Sequence, residues 1–239
     1  MINAKRLTKS FKSHDGNDET IFKELDFHAK AGEFTVIQGK SGSGKTTLLN
    51  IISTIDDVNS DAQLYINSQD IGILNEHERA KFRAKNIGFI FQSYALIPEF
   101  NLIENCIIPL TMAGVDKGAA IERAKKITRE LIHDADDAFC LKYPTQLSGG
   151  QQQRVAIARA LIHEPKIIIA DEPTANLDEE SATEVKKWLQ KLAHEQDICV
   201  IVVTHEKDYL NYGDTLYEFV PSGNDDIKST LKEPKCLQN

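Results

Sequence analysis

Short apolar runs alternate along this chain with longer stretches in which apolar residues recur every three or four positions. Runs of about five apolar residues are typical of strands that are buried on both faces, and the longer period is typical of helices. The alternation predicts βαβ units around a largely parallel sheet. The clearest predicted strands are FTVIQ from Phe34, IGFIF from Ile87, KIIIA from Lys166 and ICVIVVT from Ile198.

Two weaker segments, AQLYIN and TLYEFV, alternate apolar and polar residues and are predicted to be edge or antiparallel strands. Helices are predicted directly after Gly44 and over about Leu102–Met112, Ala119–Ile132, Gly149–His163 and Glu179–Glu195.

The helical pattern between the second and third predicted strands indicates a helical subdomain, about 94–163, inserted in an α/β core of 1–93 and 164–220. These segments together form a single domain, 1–220. We expect the polar C-terminal tail, 221–239, to be loosely held.

Length and charge limit the classes of function. A chain of 239 residues is long enough for one large α/β domain or a core with a subdomain. The net charge of −8 argues against general nucleic-acid binding, because phosphate neutralisation needs a basic surface. No apolar run approaches the roughly 20 residues of a membrane span, and the N-terminus has no apolar signal-peptide core. We therefore expect a soluble, cytoplasmic protein whose four cysteines are reduced structural thiols.

The segment FTVIQGKSGSGKTTLL reads as a strand, a glycine loop and the start of a helix. It fits the pattern G-x-x-x-x-G-K-[ST], in which backbone N–H groups surround a phosphate and the helix N-terminus adds its positive dipole end. Lys45 would reach the β- and γ-phosphates, and the Thr46 hydroxyl would ligate Mg²⁺. The candidate nucleotide-binding residues here are Gly39, Lys40, Ser41, Gly42, Ser43, Gly44, Lys45, Thr46 and Thr47.

Two acids follow the strand KIIIA. Asp171 would lie at the carboxyl edge of a sheet, where it could hold Mg²⁺ directly or through water. Glu172 would point beyond the strand end and could deprotonate a water molecule that attacks the γ-phosphate. An isolated Asp-Glu pair would be read as a solvated loop, and the strand and the upstream phosphate loop favour the catalytic interpretation.

With GKSGSGKTT, LSGGQQQR and IIIADEPTANLD in this order, the chain resembles the ABC ATPase family, the nucleotide-binding domains of ATP-binding-cassette transporters. The resemblance spans about Lys5–Val220. It implies an α/β P-loop NTPase core with a parallel sheet, an antiparallel β edge subdomain and an inserted helical subdomain. It also implies Mg²⁺-dependent hydrolysis of ATP.

The resemblance assigns further roles residue by residue. Phe11 matches an aromatic that stacks on adenine, although alone it would be read as a core residue. Gln92 matches a glutamine that touches Mg²⁺ or the attacking water, and His205 matches a histidine that hydrogen-bonds the γ-phosphate. Asp178 matches an aspartate at a dimer seam.

The same resemblance explains the second glycine turn, LSGGQQQR, which has no lysine. In this family Ser148, Gly149, Gly150 and Gln151 belong to a turn that faces the γ-phosphate of a second chain's nucleotide. The implied assembly is a homodimer in the ATP-bound state, with two ATP molecules at the interface. Read alone, LSGGQ would be only a helix start.

The stretch that follows Gln92, SYALIPEFNLIENCIIPLTMAGV, is similar to the lipoprotein-releasing, macrolide-exporter and cell-division subfamily (LolD, MacB and FtsE proteins). This similarity implies a separate membrane permease subunit of the MacB, LolC or FtsX type, which would dock near Tyr94–Phe100 through a helix in a groove. The chain would then lie on the inner face of the cell membrane. Alternatively, some of these residues pack inside the helical subdomain.

Three functions remain open from the sequence. The leading one is the ATPase subunit of a membrane complex that extracts or exports a lipoprotein, a peptide or a hydrophobic small molecule. The alternative is a cell-division-type regulatory ATPase that signals through a membrane partner without carrying cargo. A soluble ABC protein acting on DNA or ribosomes is disfavoured, because such proteins usually carry coiled-coil inserts or two cassettes.

Overall fold

The computed structural model describes residues 1–12, 18–132, 135–223 and 226–237. The chain divides into two compact units, one formed by Met1–Arg83 with Leu189–Asn239 and the other by Ala84–Trp188. Helix α7 (Glu179–Gln196) runs through the point at which the chain passes from the second unit back to the first. No helix in the described ranges is both long and apolar enough to cross a bilayer.

The first unit contains an antiparallel sheet with the strand order β2-β1-β4-β5. Strands β1 and β2 pair along most of their length, and β4 pairs with the start of β1. Ile2, Ala4 and Leu7 of β1 are buried, whereas the residues between them are largely exposed. The strands are β1 (Ile2–Lys12), β2 (Asp18–Ala29), β4 (Gln63–Ile66) and β5 (Gln69–Asp70).

A second group of strands in this unit has the order β10-β9-β3-β8. Strand β3 is parallel to β8 on one side and to β9 on the other. All six residues of β8 are buried, as expected for a strand covered on both faces. The strands are β3 (Phe34–Gln38), β8 (Cys199–Thr204), β9 (Thr215–Pro221), β10 (Ser229–Leu231) and β11 (Lys235–Cys236). The helical elements are α1 (Lys45–Ile52), α2 (Glu76–Asn86) and a 3-10 turn (Lys207–Asn211). The last three residues of α2 belong to the second unit.

The second unit combines two parallel strands with a helical cluster. Its helices begin at side-chain caps, with Asn101 before α3, Asp116 before α4 and Ser148 before α6, each accepting a hydrogen bond from a backbone N–H three residues on. Leu102, Cys106 and other residues of these helices form a continuous buried core. The elements are β6 (Ile87–Ile90), α3 (Leu102–Met112), α4 (Lys117–Leu131), α5 (Asp137–Cys140), a 3-10 turn (Pro144–Gln146), α6 (Gly149–Leu161) and β7 (Ile167–Asp171).

The fold is α/β with parallel strands, an antiparallel sheet and a group of helices, which confirms the predicted fold class. TLYEFV, predicted to be an edge or antiparallel strand, forms β9, which is antiparallel to β10 and β11. It does not lie at an edge, because it is also parallel to β3 on its other side. Helix α6 ends at Leu161, before the predicted His163, and Glu164 takes a positive φ of 53° ahead of Pro165.

The polar tail is also more ordered than we expected. Strands β10 and β11 both pair antiparallel with β9, and the N–H of Leu237 donates to the carbonyl oxygen of Asp214. Residues 224, 225, 238 and 239 of this tail lie outside the described residues. The polar composition of the tail predicted a loosely held end. The order that is found comes from pairing with β9, a contact between segments that no local sequence pattern encodes.

Candidate functional site

The loop between β3 and α1 requires its glycines. Gly42 and Gly44 have φ angles of 74° and 96°, which side chains rarely tolerate. A Cβ atom on Gly44 would also lie 2.7 Å from Cγ2 of Ile21, and one on Gly39 would lie 2.8 Å from Cβ of Phe219. The loop is therefore tightly curled and packed against its neighbours. This is the backbone form in which successive N–H groups converge on an anion.

Lys45 lies at the start of α1 and is 8% exposed. Its Nζ donates hydrogen bonds to the carbonyl oxygens of Gly39, at 2.7 Å, and Lys40, at 2.9 Å. The side chain thus folds back over the loop and holds the ammonium group inside the curl. A positive charge at this point favours a polyphosphate in the loop.

Two features of the loop fit an anionic ligand. The Oγ atom of Ser43 is buried, and no hydrogen-bonding partner is found for it within the described part of the chain. Among the described residues, α1 has neither a side-chain cap nor an acidic residue in its first turn, so its positive dipole end meets no competing carboxylate of that turn. A phosphate oxygen would satisfy the Ser43 hydroxyl.

The remaining loop residues line the exposed side. Lys40, Ser41 and Gly42 form the outer turn, Thr46 is exposed in the first turn of α1, and Thr47 is half-buried beside it. The Thr46 hydroxyl can thus face solvent and a bound ion next to the phosphate loop.

His205 leaves the sheet beside this loop. In the parallel pairing of β3 with β8, Gln38 is opposite Thr204, so Gly39 and His205 begin at adjacent strand ends on the same edge. His205 is exposed there. The structure therefore brings the predicted histidine close to the phosphate loop in the strand register, as the γ-phosphate role requires.

Phe11 lies on β1 and is 46% exposed. The ammonium group of Lys9 lies 5.3 Å from its ring centroid, within the range of a cation–π contact. Phe11 is therefore not a core residue, which was the alternative interpretation. An exposed aromatic ring of this kind can stack on a nucleobase.

The predicted acids lie in the second unit. Strand β7 ends at Asp171, and its pairing with β6 sets Ile90 opposite Ala170. Gln92, two residues past Ile90, therefore leaves the same edge as Asp171 and Glu172. This edge gathers one amide and two carboxylates.

Glu172 has a positive φ of 45° and precedes Pro173. A left-handed conformation is costly for glutamate, by about 1–3 kcal/mol, and such strain is concentrated at functional positions. The turn directs the chain away from the strand at the residue that the sequence assigns to water activation. Nothing in the motif spacing indicated this backbone conformation.

The second glycine turn is a capped helix start. Ser148 accepts a hydrogen bond from the N–H of Gln151, and the Gln151 side chain accepts one from the N–H of Ser148. A Cβ atom on Gly149 would lie 3.0 Å from Oη of Tyr94, and one on Gly150 would lie 2.9 Å from Oγ of Ser181. A side chain at either position would therefore have to displace a neighbouring hydroxyl group.

The three consecutive glutamines after this turn do different work. Gln151 completes the capping box, and Nε2 of Gln152 donates to the carbonyl oxygen of Leu147. Gln153 is fully buried, and its Nε2 donates to the carbonyl oxygen of Pro173 at 2.6 Å. Gln153 thereby connects α6 to the residue next to Glu172, a contact that the sequence motifs did not reveal.

Asp178 caps the start of α7. Its carboxylate accepts hydrogen bonds from the backbone N–H of Ser181, at 2.9 Å, and from the Ser181 hydroxyl, at 3.0 Å. These hydrogen bonds lower the pKa of Asp178. The residue is exposed and ionised, which suits a place at an interface.

The residues fit magnesium as a companion of nucleotide rather than as a protein-caged ion. Among the described residues no group of three or more His, Cys, Asp or Glu side chains could hold a metal. Nucleotide-associated Mg²⁺ usually takes one or two carboxylates together with phosphate oxygens and water. Asp171 supplies one such carboxylate, and Gln92 leaves the same strand edge of the second unit. The third predicted ligand, Thr46, belongs to the first unit.

The curled loop and its buried lysine define a nucleotide-binding site of the P-loop type. A family profile described as ABC transporter matches residues 22–175. The bacitracin export ATP-binding protein BceA of Halalkalibacterium halodurans is 42% identical, over 82% of this chain and 76% of that protein. The lipoprotein-releasing system ATP-binding protein LolD of Syntrophus aciditrophicus is 41% identical, over 87% of this chain and 91% of that protein.

A solved structure is similar over its whole length. The dimeric, post-hydrolysis state of the ATP-binding cassette MJ0796, bound to ADP and Pi, covers 100% of both chains with a TM-score of 0.86 and 34% identity. The uncharacterised protein MJ0796 belongs to Methanocaldococcus jannaschii. The chain therefore belongs to the ABC transporter family, and it is an ATP-binding cassette that hydrolyses ATP.

Proposed function

We propose that this chain is the ATPase subunit of a membrane complex that extracts or exports a lipoprotein, a peptide or a hydrophobic small molecule through a separate membrane subunit. The observation that carries the proposal is a phosphate loop with a buried Lys45 in the same chain as a capped, lysine-free glycine turn at Ser148. One element is suited to hold a triphosphate, and the other to complete the site of a second copy.

Within one site, the chain's residues divide the work. Phe11 stacks on adenine, the loop and Lys45 bind the phosphates, and His205 donates a hydrogen bond to the γ-phosphate. Glu172 takes a proton from the attacking water, which Gln92 helps to orient. Thr46, Asp171 and Gln92 would hold Mg²⁺, which would neutralise charge on the phosphate oxygens when bound.

Two copies complete each other's sites. Ser148, Gly149, Gly150 and Gln151 contact the γ-phosphate in the opposite copy, and Asp178 lies at the seam. ATP binding adds contacts across the seam and closes the homodimer, and phosphate release removes them, so the dimer opens. MJ0796, the structural relative, is dimeric in two solved structures.

The membrane subunit, of the MacB, LolC or FtsX type, binds at the docking loop, which we define as Tyr94–Phe100. Ile97 and Phe100 are 37% and 40% exposed and present apolar surface there. A short amphipathic helix is the partner chemistry that fits such a surface. In this proposal the chain lies at the inner face of the cell membrane, held by its partner, and it binds no nucleic acid.

Complementation between two inactive variants tests the shared site. Lys45→Ala removes the phosphate-binding lysine, and Ser148→Arg places a bulky side chain in the glycine turn. Each variant alone should be inactive. A mixture should recover about a quarter of the parent rate, because half of the dimers are mixed and each has one intact site. Full activity of Ser148→Arg alone would contradict the shared site.

Cargo is tested after reconstitution with the membrane subunit in vesicles. ATP-dependent movement of a lipoprotein or a labelled peptide out of the vesicle membrane supports the transport function. Nucleotide-dependent changes in the membrane subunit without any cargo movement would instead support the cell-division-type regulatory function. Equal cargo movement by Glu172→Gln would contradict both.

A further inference from the structure

The docking loop is fixed at its first residues by one arginine. The guanidinium of Arg159, on α6, donates to the carbonyl oxygens of Tyr94, at 2.7 Å, and Ala95, at 2.5 Å. Tyr94 and Ala95 both have positive φ angles, 61° and 48°. Two successive left-handed residues are unfavourable without support, so the arginine fork stabilises a backbone shape that the loop would not keep alone.

The far end of the same loop is fixed by one asparagine. Asn105 is fully buried, and its side chain accepts a hydrogen bond from the N–H of Ile97 at 2.8 Å. Its Nδ2 donates to the carbonyl oxygens of Ile97, Phe100 and Asn101, at 3.1, 2.9 and 3.1 Å. The loop therefore presents Ile97 and Phe100 on a backbone that is held at both ends.

A third polar side chain joins this loop to the catalytic edge. Nδ2 of Asn176 donates to the carbonyl oxygen of Gln92 at 3.0 Å. In return, Oη of Tyr94 lies 3.4 Å from the carbonyl oxygen of Asn176, a long hydrogen bond. The same Tyr94 hydroxyl borders Gly149 in the second glycine turn. Movement of the docking loop should therefore displace Gln92, the segment before Asp178 and the glycine turn together.

We propose that Asn176 and Arg159 are the positioning residues through which the docking loop is coupled to Gln92. The inference rests on the proposed function and deepens it. Hydrogen bonds hold the docking loop at both ends. A displacement of the loop should therefore also move the backbone at Gln92, to which it is connected through Asn176. The coupling is reciprocal, since two linked sites affect each other by the same free energy.

The first experiment measures steady-state hydrolysis by the full chain. Asn176→Asp keeps the size of the side chain but replaces the donor to Gln92 with an oxygen, and Asn176 is exposed, so folding is preserved. We expect kcat to fall about tenfold with KM for ATP within about twofold, because a misplaced catalytic group slows chemistry more than binding. Asn67→Asp is the matched control, since Asn67 lies in an exposed turn of the other unit.

Arg159→Lys is the second variant. Lysine keeps the positive charge but cannot hold two carbonyl oxygens with a planar fork. We expect kcat to fall here too, but by less than in Asn176→Asp, because one of the two carbonyl oxygens keeps its donor. A rise in KM with unchanged kcat in both variants would overturn the positioning role.

The second experiment follows the loop itself. Ile97→Cys carries a fluorinated thiol label in a Cys236→Ser background, because Cys236 is exposed and the other three cysteines are buried. The fluorine resonance is compared between Mg-ADP and Mg-ATP, with Glu172→Gln present to prevent turnover. We expect two distinct resonances in this parent and a difference at least about threefold smaller after Asn176→Asp, at unchanged ATP affinity.

The outcomes separate the inference from the function on which it rests. A full nucleotide-dependent difference that survives Asn176→Asp, or no difference in the labelled parent, overturns the coupling while hydrolysis by the unlabelled chain still supports the ATPase. Failure of the unlabelled chain to bind or hydrolyse ATP overturns the proposed function itself.

Discussion

The buried Gln153 of α6 donates a hydrogen bond of 2.6 Å from Nε2 to the carbonyl oxygen of Pro173, the residue after Glu172. Gln153→Leu should therefore reduce stability, because the Pro173 carbonyl would lose its partner in a buried position. The expected loss is about 1–3 kcal/mol, measured by urea denaturation. Gln152→Leu serves as the control, since its bond to Leu147 lies at a less buried position. Equal losses in the two variants would contradict a special role for Gln153.

Glu172→Gln should retain ATP binding and lose hydrolysis. The amide keeps the size of the side chain but cannot accept a proton from water, so we expect phosphate release to fall by about 10²–10⁴-fold. Size-exclusion chromatography in ATP should show more dimer than for the parent. Glu180→Gln, an equal change of charge in the first turn of α7, should leave both measurements near parent values.

Gly44→Ala should be more damaging than Gly42→Ala. Both residues have positive φ angles, which costs an alanine about 1–2 kcal/mol. Only at Gly44 does the new Cβ also meet a neighbour, Ile21, at 2.7 Å, whereas no described atom lies within 4 Å of a Cβ on Gly42. Urea denaturation and titration with a fluorescent ATP analogue measure the difference. A larger effect at Gly42 would contradict the packing argument.

Stability should decrease with rising pH in the alkaline range. Burial raises the pKa of Cys106 and of Cys199 to about 12. An unfolded chain ionises these thiols from about pH 8.5, so their contribution is fully present below that pH and is lost as the pH rises towards about 12.

The measurement is the free energy of unfolding in urea at about pH 8 and about pH 10.5. A Cys106→Ala/Cys199→Ala variant should be less stable at both values, because buried volume is lost. Its decrease between the two pH values should nevertheless be smaller than that of the parent. Tyr217, whose pKa burial also raises to about 12, contributes in the same direction in both proteins. An unchanged decrease would contradict the assignment.

Elements with strong local signals were predictable from the sequence. Strands β3 and β8 follow directly from nearly continuous apolar runs, and α3 follows from its period and from its cap at Asn101. The phosphate loop was predictable because its chemistry lies within nine consecutive residues. The long strands β1 and β2 gave no clear signal, since their buried positions alternate irregularly around bulges.

Contacts between distant segments were not predictable. The link from Asn176 to Gln92 joins residues 84 positions apart, and Arg159 reaches Tyr94 from 65 positions away. A single sequence carries no information on such pairs, because asparagine and arginine at those positions suit solvent equally well. The assignments of the site residues and of the domain boundaries stay predictions until the experiments above are done.

The pairing of β10 and β11 with β9 has a consequence for how the chain can be handled. Strand β9 is bonded to β3 on one side and to these two short strands on the other. Removing the residues after Pro221 would leave β9 as an exposed edge strand with unpaired N–H and C=O groups. Such an edge can pair with a strand of another chain. A truncated chain that ends at Pro221 would therefore be prone to self-association and precipitation.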